Sequence, residues 1–587
     1  MALPMPAVAA SPGVNLTALP RPGEAPAPSG PTGILGELRA LQAENSNSLA
    51  VAADYRGRDG ESGLGRMSDL ETVFEGRFGV GEGMLTATVT PTLVDAGDID
   101  TAKYAQSSRY GGGPAVALVS SIGNDSSPID TLLNTDLYQL LMTDGNTTAT
   151  QNLIYENALS SGRFQELYND TAAVDDDGNT VPVATRRKQA LELLYQDPLP
   201  NYLLSKALAD TSISQIATDV LNNASITKAL SSGEISQLKL LAGSAAAQQT
   251  PAEFQTTLYT LAGQAAAIAA GSRRLGSQDA SGVGVGVAYD IGGFHADVGS
   301  TPLGFRESNI VGGVGYKGQV GDAFFWSASA SRRGVNDSVL SFAGVKDPFT
   351  GLTWGGVTST GAKLAGTVDN GLFGAYGSLG WHRLQGKHVA DNDQQEFGAG
   401  VYVHALDTDY QSLTAGLNVS AMRYDKNLRG FTYGQGGYFS PQNYAELSFP
   451  VHWNGRTVGQ KVAWQVDASL GVQHFKEDDS PYFPLDPELQ QAAYDAASLA
   501  ALLGLSTEYT APVYAGQSKT GLSYNMAATA EWRITPQVYL GGRMELNNAR
   551  DYQQFDANVY LRFLLDRNAG YLGTRPSPLR SPFQTQE

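Results

Sequence analysis
The sequence predicts an all-β fold: a transmembrane β-barrel of the outer-membrane type with about 16 antiparallel strands and a helical insertion between strands 3 and 4. Three observations carry that prediction. Apolar and polar residues alternate in segments of about ten, separated by Gly, Asp and Asn turns, as in strands with one face in lipid and the other in water. Short and long connections between these segments alternate, as periplasmic turns and extracellular loops do. No stretch approaches the roughly 20 consecutive apolar residues of a membrane helix, and a barrel needs none.

Composition agrees. Of 587 residues 67 are Gly and 27 are Tyr, and charged residues make up 17%, a balance suited to short strands and many turns. Cysteine is absent, which excludes disulfides and thiolate metal sites. The net charge of −19 argues against nucleic acid as a partner, because phosphate binding needs clustered Lys and Arg.

Taken in order, residues 1–35 are rich in Pro, Ala and Gly, without a charged segment followed by an apolar one, and read as a linker. The chain is therefore expected to be a fragment of a longer precursor. Residues 36–100 hold three strands, starting near Leu49, Leu70 and Leu85. Residues 101–280 turn mainly helical: Leu133, Leu137, Leu140 and Leu141 recur at helical spacing, as do Phe254, Leu258, Leu261 and Ala265, and Thr250, Pro251 and Glu253 form a capping box. This insertion is expected to be either an extracellular bundle or a plug folded into the lumen.

Residues 281–567 hold the other strands, starting near Val283, Phe294, Val311, Phe324, Val357, Phe373, Phe397, Leu413, Ala445, Val462, Leu522, Val538 and Phe555. The last is the clearest. Phe555, Ala557, Val559, Leu561, Phe563 and Leu565 share one face, and Gln554, Asp556, Asn558, Tyr560 and Arg562 the other. Gly334 to Gly356, Gln385 to Gln395, Tyr424 to Asn443 and His474 to Gln517 are long connections at one end, opposite short turns such as Asp369 to Gly371. An even strand number puts both termini on the short-turn, periplasmic side, and residues 568–587 are expected to be a periplasmic tail.

Sites for catalysis, metals or cofactors are not expected. Asp175, Asp176 and Asp177 precede a Gly misplaced for a calcium loop, with Arg186 where its bidentate Glu should stand. Gly282, Gly284 and Gly286 alternate with valines and no helix follows, so they are strand residues rather than a dinucleotide loop. The six histidines lack metal-ligand spacing, and the Asp478–Asp479 pair lies in a loop without an obvious pocket.

Four stretches go beyond generic barrel pattern: RGRDGESGLGRMSDL from Arg56 to Leu70, GSTPLGF from Gly299 to Phe305, NDSVLSFAGVKDPFTGLTWGGV from Asn336 to Val357, and GGYFSPQNY from Gly436 to Tyr444. In this order they resemble the C-terminal barrel domain of the outer-membrane subunit of bacterial cellulose synthase, the BcsC family. The resemblance covers both strand regions but not the helical insertion, which departs from the family pattern. It implies export of a β-1,4-glucan through the outer membrane of a Gram-negative bacterium. The implied partners are the nascent cellulose chain, outer-membrane lipid, a periplasmic array of tetratricopeptide repeats and an inner-membrane cellulose synthase complex.

A neutral, amphipathic glucan would need aromatic faces for its rings and hydrogen-bonding groups for its hydroxyls. Strand parity directs Tyr376, Tyr402, Tyr539 and Tyr560 inward, with Asp467, Glu531, Arg543, Asp556 and Arg562. These are the candidate pore-lining residues. The alternative for the charged ones is that they only pair to fix barrel shape. Trp354 and the segment Tyr438, Phe439, Ser440, Pro441 and Gln442 are the exit-loop candidates, forming either a constriction or a packed turn. Two other functions share the strand pattern: an anchor for an adhesive or scaffolding insertion, and an exporter or porin for another polysaccharide. An acidic polymer would want a lumen enriched in Arg and Lys, which the inward set is not.

Overall fold
A computed structural model describes residues 46–99, 118, 212–222, 232–243, 248, 277–346, 351–408, 410–502, 505, 510–548, 552–565, 576–579 and 581. Sixteen strands form one closed antiparallel barrel, matching the expected number and order. They are β1 (Ser48–Arg58), β2 (Met67–Val80), β3 (Gly83–Asp98), β4 (Ser277–Ile291), β5 (Phe294–Leu303), β6 (Ile310–Val320), β7 (Phe324–Gly334) and β8 (Thr353–Asp369). The second half comprises β9 (Phe373–Lys387), β10 (Asn392–Asp407), β11 (Gln411–Tyr424), β12 (Asn443–Arg456), β13 (Val462–Glu477), β14 (Gln517–Arg533), β15 (Val538–Asn547) and β16 (Gln554–Leu564).

Each strand pairs with its neighbour in sequence, and β1 closes on β16 with Ser48 opposite Leu564 and Arg58 opposite Gln554. Closure satisfies every edge, the condition a sheet must meet inside a bilayer. Four of the short turns carry a glycine in the left-handed region that tight hairpins require, at Gly81, Gly292, Gly321 and Gly371, with φ between 56° and 84°. The short connections share one end with the outer ends of β1 and β16, and the long loops occupy the other.

The dyad pattern sorts side chains as expected. Val559, Leu522 and Leu470 stand outward at 58%, 65% and 57% exposure, while Asn558, Ser523 and Gln473 on the same strands are buried on the lumen side. Water-exposed aliphatic side chains on this scale suit a surface covered by lipid.

Between β3 and β4 the described part of the insertion contains α1 (Ile213–Asn222) and α2 (Ser232–Gly243). They pack together, with Ser214 Oγ donating to the Ala242 carbonyl at 2.8 Å. The five-residue helix α3 (Val339–Ala343) lies between β7 and β8, and α4 (Pro487–Leu502) between β13 and β14. Because α2 also packs against α4, the described helices of the insertion sit at the long-loop end. The leucine spacing at Leu133 to Leu141 and the capping box at Thr250 lie outside the described residues, as does the linker 1–35.

Pro576–Leu579 and Ser581, expected in a periplasmic tail, lie within the lumen: Leu579 packs with Ala50, Ala52, Val73 and Tyr560. The segment returns because the wall there offers a small apolar floor flanked by donors, which strand periodicity alone does not reveal.

The face assignment is testable. Val559→Arg, on the outer face of β16, is expected to destabilise the barrel in lipid vesicles by about 2–4 kcal/mol if it sits near the midplane. Ser469→Arg, on the lumen face of β13, is expected to change stability by less than ~1 kcal/mol. Equal losses in denaturant titrations would contradict the assignment.

Candidate functional site: a polar lumen with a closed outer mouth
The structure places all nine pore-lining candidates on the lumen side, and it brings them together in connected groups. Tyr560 donates its hydroxyl to Glu531 Oε2 at 2.7 Å, and Arg562 Nη1 lies 3.3 Å from the same oxygen. Arg543 bonds Glu545 at 2.5 Å and reaches toward Asp467 at 3.9 Å, while His452 Nδ1 stands 2.8 Å from Asp467. Asp556 accepts from Gln554 at 2.9 Å. Tyr376 donates to Asn418 at 2.7 Å and Tyr402 to Asp369 at 2.6 Å. Tyr539 packs with Ala463 and Leu564.

These contacts follow from strand geometry. Alternate residues of adjacent strands face the same side about 5 Å apart, so oppositely charged inward residues meet without rearrangement. The result is a wall in which some carboxylates meet cations, as Glu531 meets Arg562 and Glu545 meets Arg543, and others accept from neutral groups, as Asp556 does from Gln554 and Glu446 from Tyr444 and Ser523. Such a wall offers hydroxyl, amide and charged hydrogen-bonding groups.

Parity applied to the first strands would have added further lumen residues. Arg56 makes a bidentate pair with Asp69, both bonds 2.9 Å, and Glu71, Thr88, Thr90 and Thr92 line the same stretch of wall. Their signal was present, since Asp69 and Glu71 flank Leu70 in β2. Among the described residues no group of three or more His, Asp or Glu side chains could hold a metal ion.

The outer mouth differs in kind. Two loops contribute buried segments there, residues 335–346 after β7 and residues 425–442 after β11. Ser338 caps α3 in a capping box with Ser341, and all five residues of α3 are buried. Ser338 Oγ also donates to the Gly437 carbonyl at 2.7 Å, tying one loop to the other. Arg58 of β1 bonds the backbone carbonyl of Asp337 and lies 3.5 Å from its carboxylate, which anchors the pair to the wall.

Around this contact a dry cluster forms. It includes Leu340 and Phe342 of α3, Trp354, Tyr438 and Phe439, with Val94, Phe305, Val357, Leu384, Met422, Tyr444 and Phe475 contributed by the surrounding wall and loops. Trp354, Tyr438, Phe439 and Ser440 are fully buried. Phe439 meets Phe475 edge-on at 5.2 Å, Ser440 Oγ accepts from the Leu428 amide at 2.7 Å, the Pro441 carbonyl accepts from the Tyr424 amide at 2.9 Å, and Gln442 Nε2 donates to the Ser440 carbonyl at 2.9 Å. The exit-loop candidates thus sit in this packed cluster at the long-loop end.

A third structure occupies the inner half. Arg562 Nη2 bonds the Ser577 carbonyl, and Asn558 donates to the Leu579 carbonyl at 3.4 Å. The returning C-terminal segment therefore engages two lumen side chains of β16 and rests on a third, Tyr560.

Residues 213–566 match the sequence profile of the family described as cellulose synthase operon protein C C-terminus. The chain belongs to that family. It is 55% identical over 554 residues to the cellulose synthase operon protein C of Xanthomonas axonopodis pv. citri (strain 306), covering 94% of this chain and 36% of that protein. Identity to the protein of that name from Pseudomonas fluorescens (strain SBW25) is 39% over 317 residues, covering 53% of this chain and 23% of the relative. The chain thus spans about a third or less of the length of these relatives. Among solved structures, a bacterial polysaccharide outer membrane secretin aligns over 89% of this chain and 99% of its own, with a TM-score of 0.37 and 7% identity.

The mouth yields a second prediction. Leu340 is fully buried, and removing such packing destabilises the packed arrangement by roughly 2–5 kcal/mol. Leu340→Asp is expected to free the two loops while the barrel ladder stays folded, seen as a rise in single-channel conductance in planar bilayers. A folded variant with unaltered conductance would contradict the assignment of this cluster as the closure.

Proposed function
We propose that the barrel is the conduit through which a cellulose chain, a β-1,4-glucan, passes from the periplasm to the surface of a Gram-negative bacterium. The observation that carries this reading is the lumen wall. Barrels of this strand number enclose an aqueous channel. Here that channel is lined by ion pairs, by further carboxylates held by neutral groups, and by tyrosines. Such a wall suits a neutral polymer with apolar ring faces and polar edges, and it does not suit a polyanion, which would require unmatched cations. Membership of the cellulose synthase operon protein C family supports the same substrate.

The conduit works passively and no catalysis is assigned to it. Each hydrogen bond between wall and sugar is exchangeable with water and individually weak. A chain pushed from behind by polymerisation can therefore advance one sugar at a time. The source of that push is an inner-membrane cellulose synthase, reached through a periplasmic tetratricopeptide-repeat region. In this reading the outer loops close the path at the mouth, and the C-terminal segment narrows it along the β16 side, so transport requires the loops to yield.

The test uses purified protein in planar bilayers, opened by the Leu340→Asp substitution. Cellohexaose added on the short-turn side is expected to produce resolved current blockades, and an alginate hexamer of similar length to produce few. Preferential blockade by the acidic oligomer would overturn the reading.

A further inference from the structure
Three of the four candidate lumen tyrosines, Tyr376, Tyr402 and Tyr560, share one construction. Tyr376 of β9 stands directly opposite Gly400 of β10, and its hydroxyl reaches across that strand to Asn418 of β11. Tyr402 of β10 stands opposite Gly374 of β9 and reaches across to Asp369 at the end of β8. Tyr560 of β16 stands opposite Gly541 of β15 and reaches across to Glu531 of β14. In every case the ring passes over the glycine of the intervening strand to an acceptor two strands away. The rings therefore lie along the wall instead of projecting from it.

The glycines are what permits this. A Cβ at Gly400, Gly374 or Gly541 would come within 2.5, 2.0 and 2.2 Å of the tyrosine ring above it, distances that real Cβ atoms do not show. An alanine would force each ring to lift or swing away from its seat. All three tyrosines lie toward the short-turn end of their strands, in the half of the lumen that a chain arriving from the periplasm meets first. Each hydroxyl is already engaged by the wall. The three tyrosines are only 7%, 3% and 1% exposed, so their ring faces meet the channel once what covers them, Leu579 in the case of Tyr560, moves aside.

We propose that Gly374, Gly400 and Gly541 are positioning residues for the transported glucan: they seat three tyrosine rings flat, which sets the bore of the inner lumen and turns ring faces toward the sugar. This rests on the conduit reading above. One of the faces already shows its chemistry, because the aliphatic side chain of Leu579 packs with Tyr560 where the C–H face of a pyranose ring would stack. The seat also occurs outside the lumen, where Tyr289 passes over Gly83 to the Val80 carbonyl at 3.0 Å, so a purely bracing role is the alternative that the experiment must separate.

The experiment measures two quantities on the full chain. One is cellohexaose affinity by calorimetry in detergent micelles; the other is single-channel conductance in simple salt, in the Leu340→Asp background. Gly400→Ala and, independently, Gly541→Ala are expected to lower conductance and to weaken cellohexaose binding by up to roughly tenfold, the loss of one stacked ring. Adding Tyr376→Ala to Gly400→Ala is expected to restore conductance while affinity stays low. A bracing role alone predicts lowered stability with conductance and affinity unchanged, and that result in a folded variant overturns the proposal. So does a double variant whose conductance does not recover.

Should the alanine variants fail to fold, the triple variant Tyr376→Ala, Tyr402→Ala, Tyr560→Ala keeps every glycine, and unchanged cellohexaose affinity there overturns the proposal. Absence of cellohexaose binding to the unaltered chain counts against the conduit reading instead, and the conductance of the glycine variants still reports on the bore.

Discussion
The structure depends on closure of the hydrogen-bond ladder between β1 and β16. A sheet with a free edge cannot persist in hydrocarbon, because each unpaired backbone group there costs several kcal/mol. Pairing Ser48 with Leu564 removes both edges, and it fixes which residues can face inward. Once the register is set, parity leaves no choice. Every second residue meets lipid, and the remainder must share a common interior.

That interior is divided by chemistry into two zones. Toward the short-turn end, tyrosines, ion pairs and further carboxylates line a polar wall. Toward the long-loop end, α3 and the Gly436–Gln442 segment meet the wall in an apolar cluster that excludes water. The same barrel thus holds a wettable passage and a dry closure in series. The cluster is made by loops, which can rearrange without breaking the ladder, and the proposed conduit would open and shut through this separation.

Much of this was legible in the sequence because dyad alternation is a local signal. The strand starts, the alternation of short and long connections, and the inward direction of Tyr560, Glu531 and Arg562 all follow from counting residues in twos. What was not legible depends on contacts across long separations. Nothing near Leu579 announces that it will rest on Ala50 and Tyr560, since a Leu between Pro578 and Arg580 is equally consistent with an exposed tail. The bond from Ser338 to Gly437 joins loops 99 residues apart. The opposition of Tyr376 and Gly400 requires the pairing register, which periodicity bounds but does not fix. In the insertion, helical spacing was visible, but the packing of α2 on α4, which locates it, was not.

The most direct measurement is made in cells. In a cellulose-producing strain the segment encoding this barrel is removed while the upstream region and the synthase are left in place, and cellulose is quantified separately at the surface and in the periplasm. The account predicts that surface polymer disappears and that glucan is retained inside, with both restored by the unaltered barrel. Cellulose reaching the surface at normal levels without the barrel would contradict it.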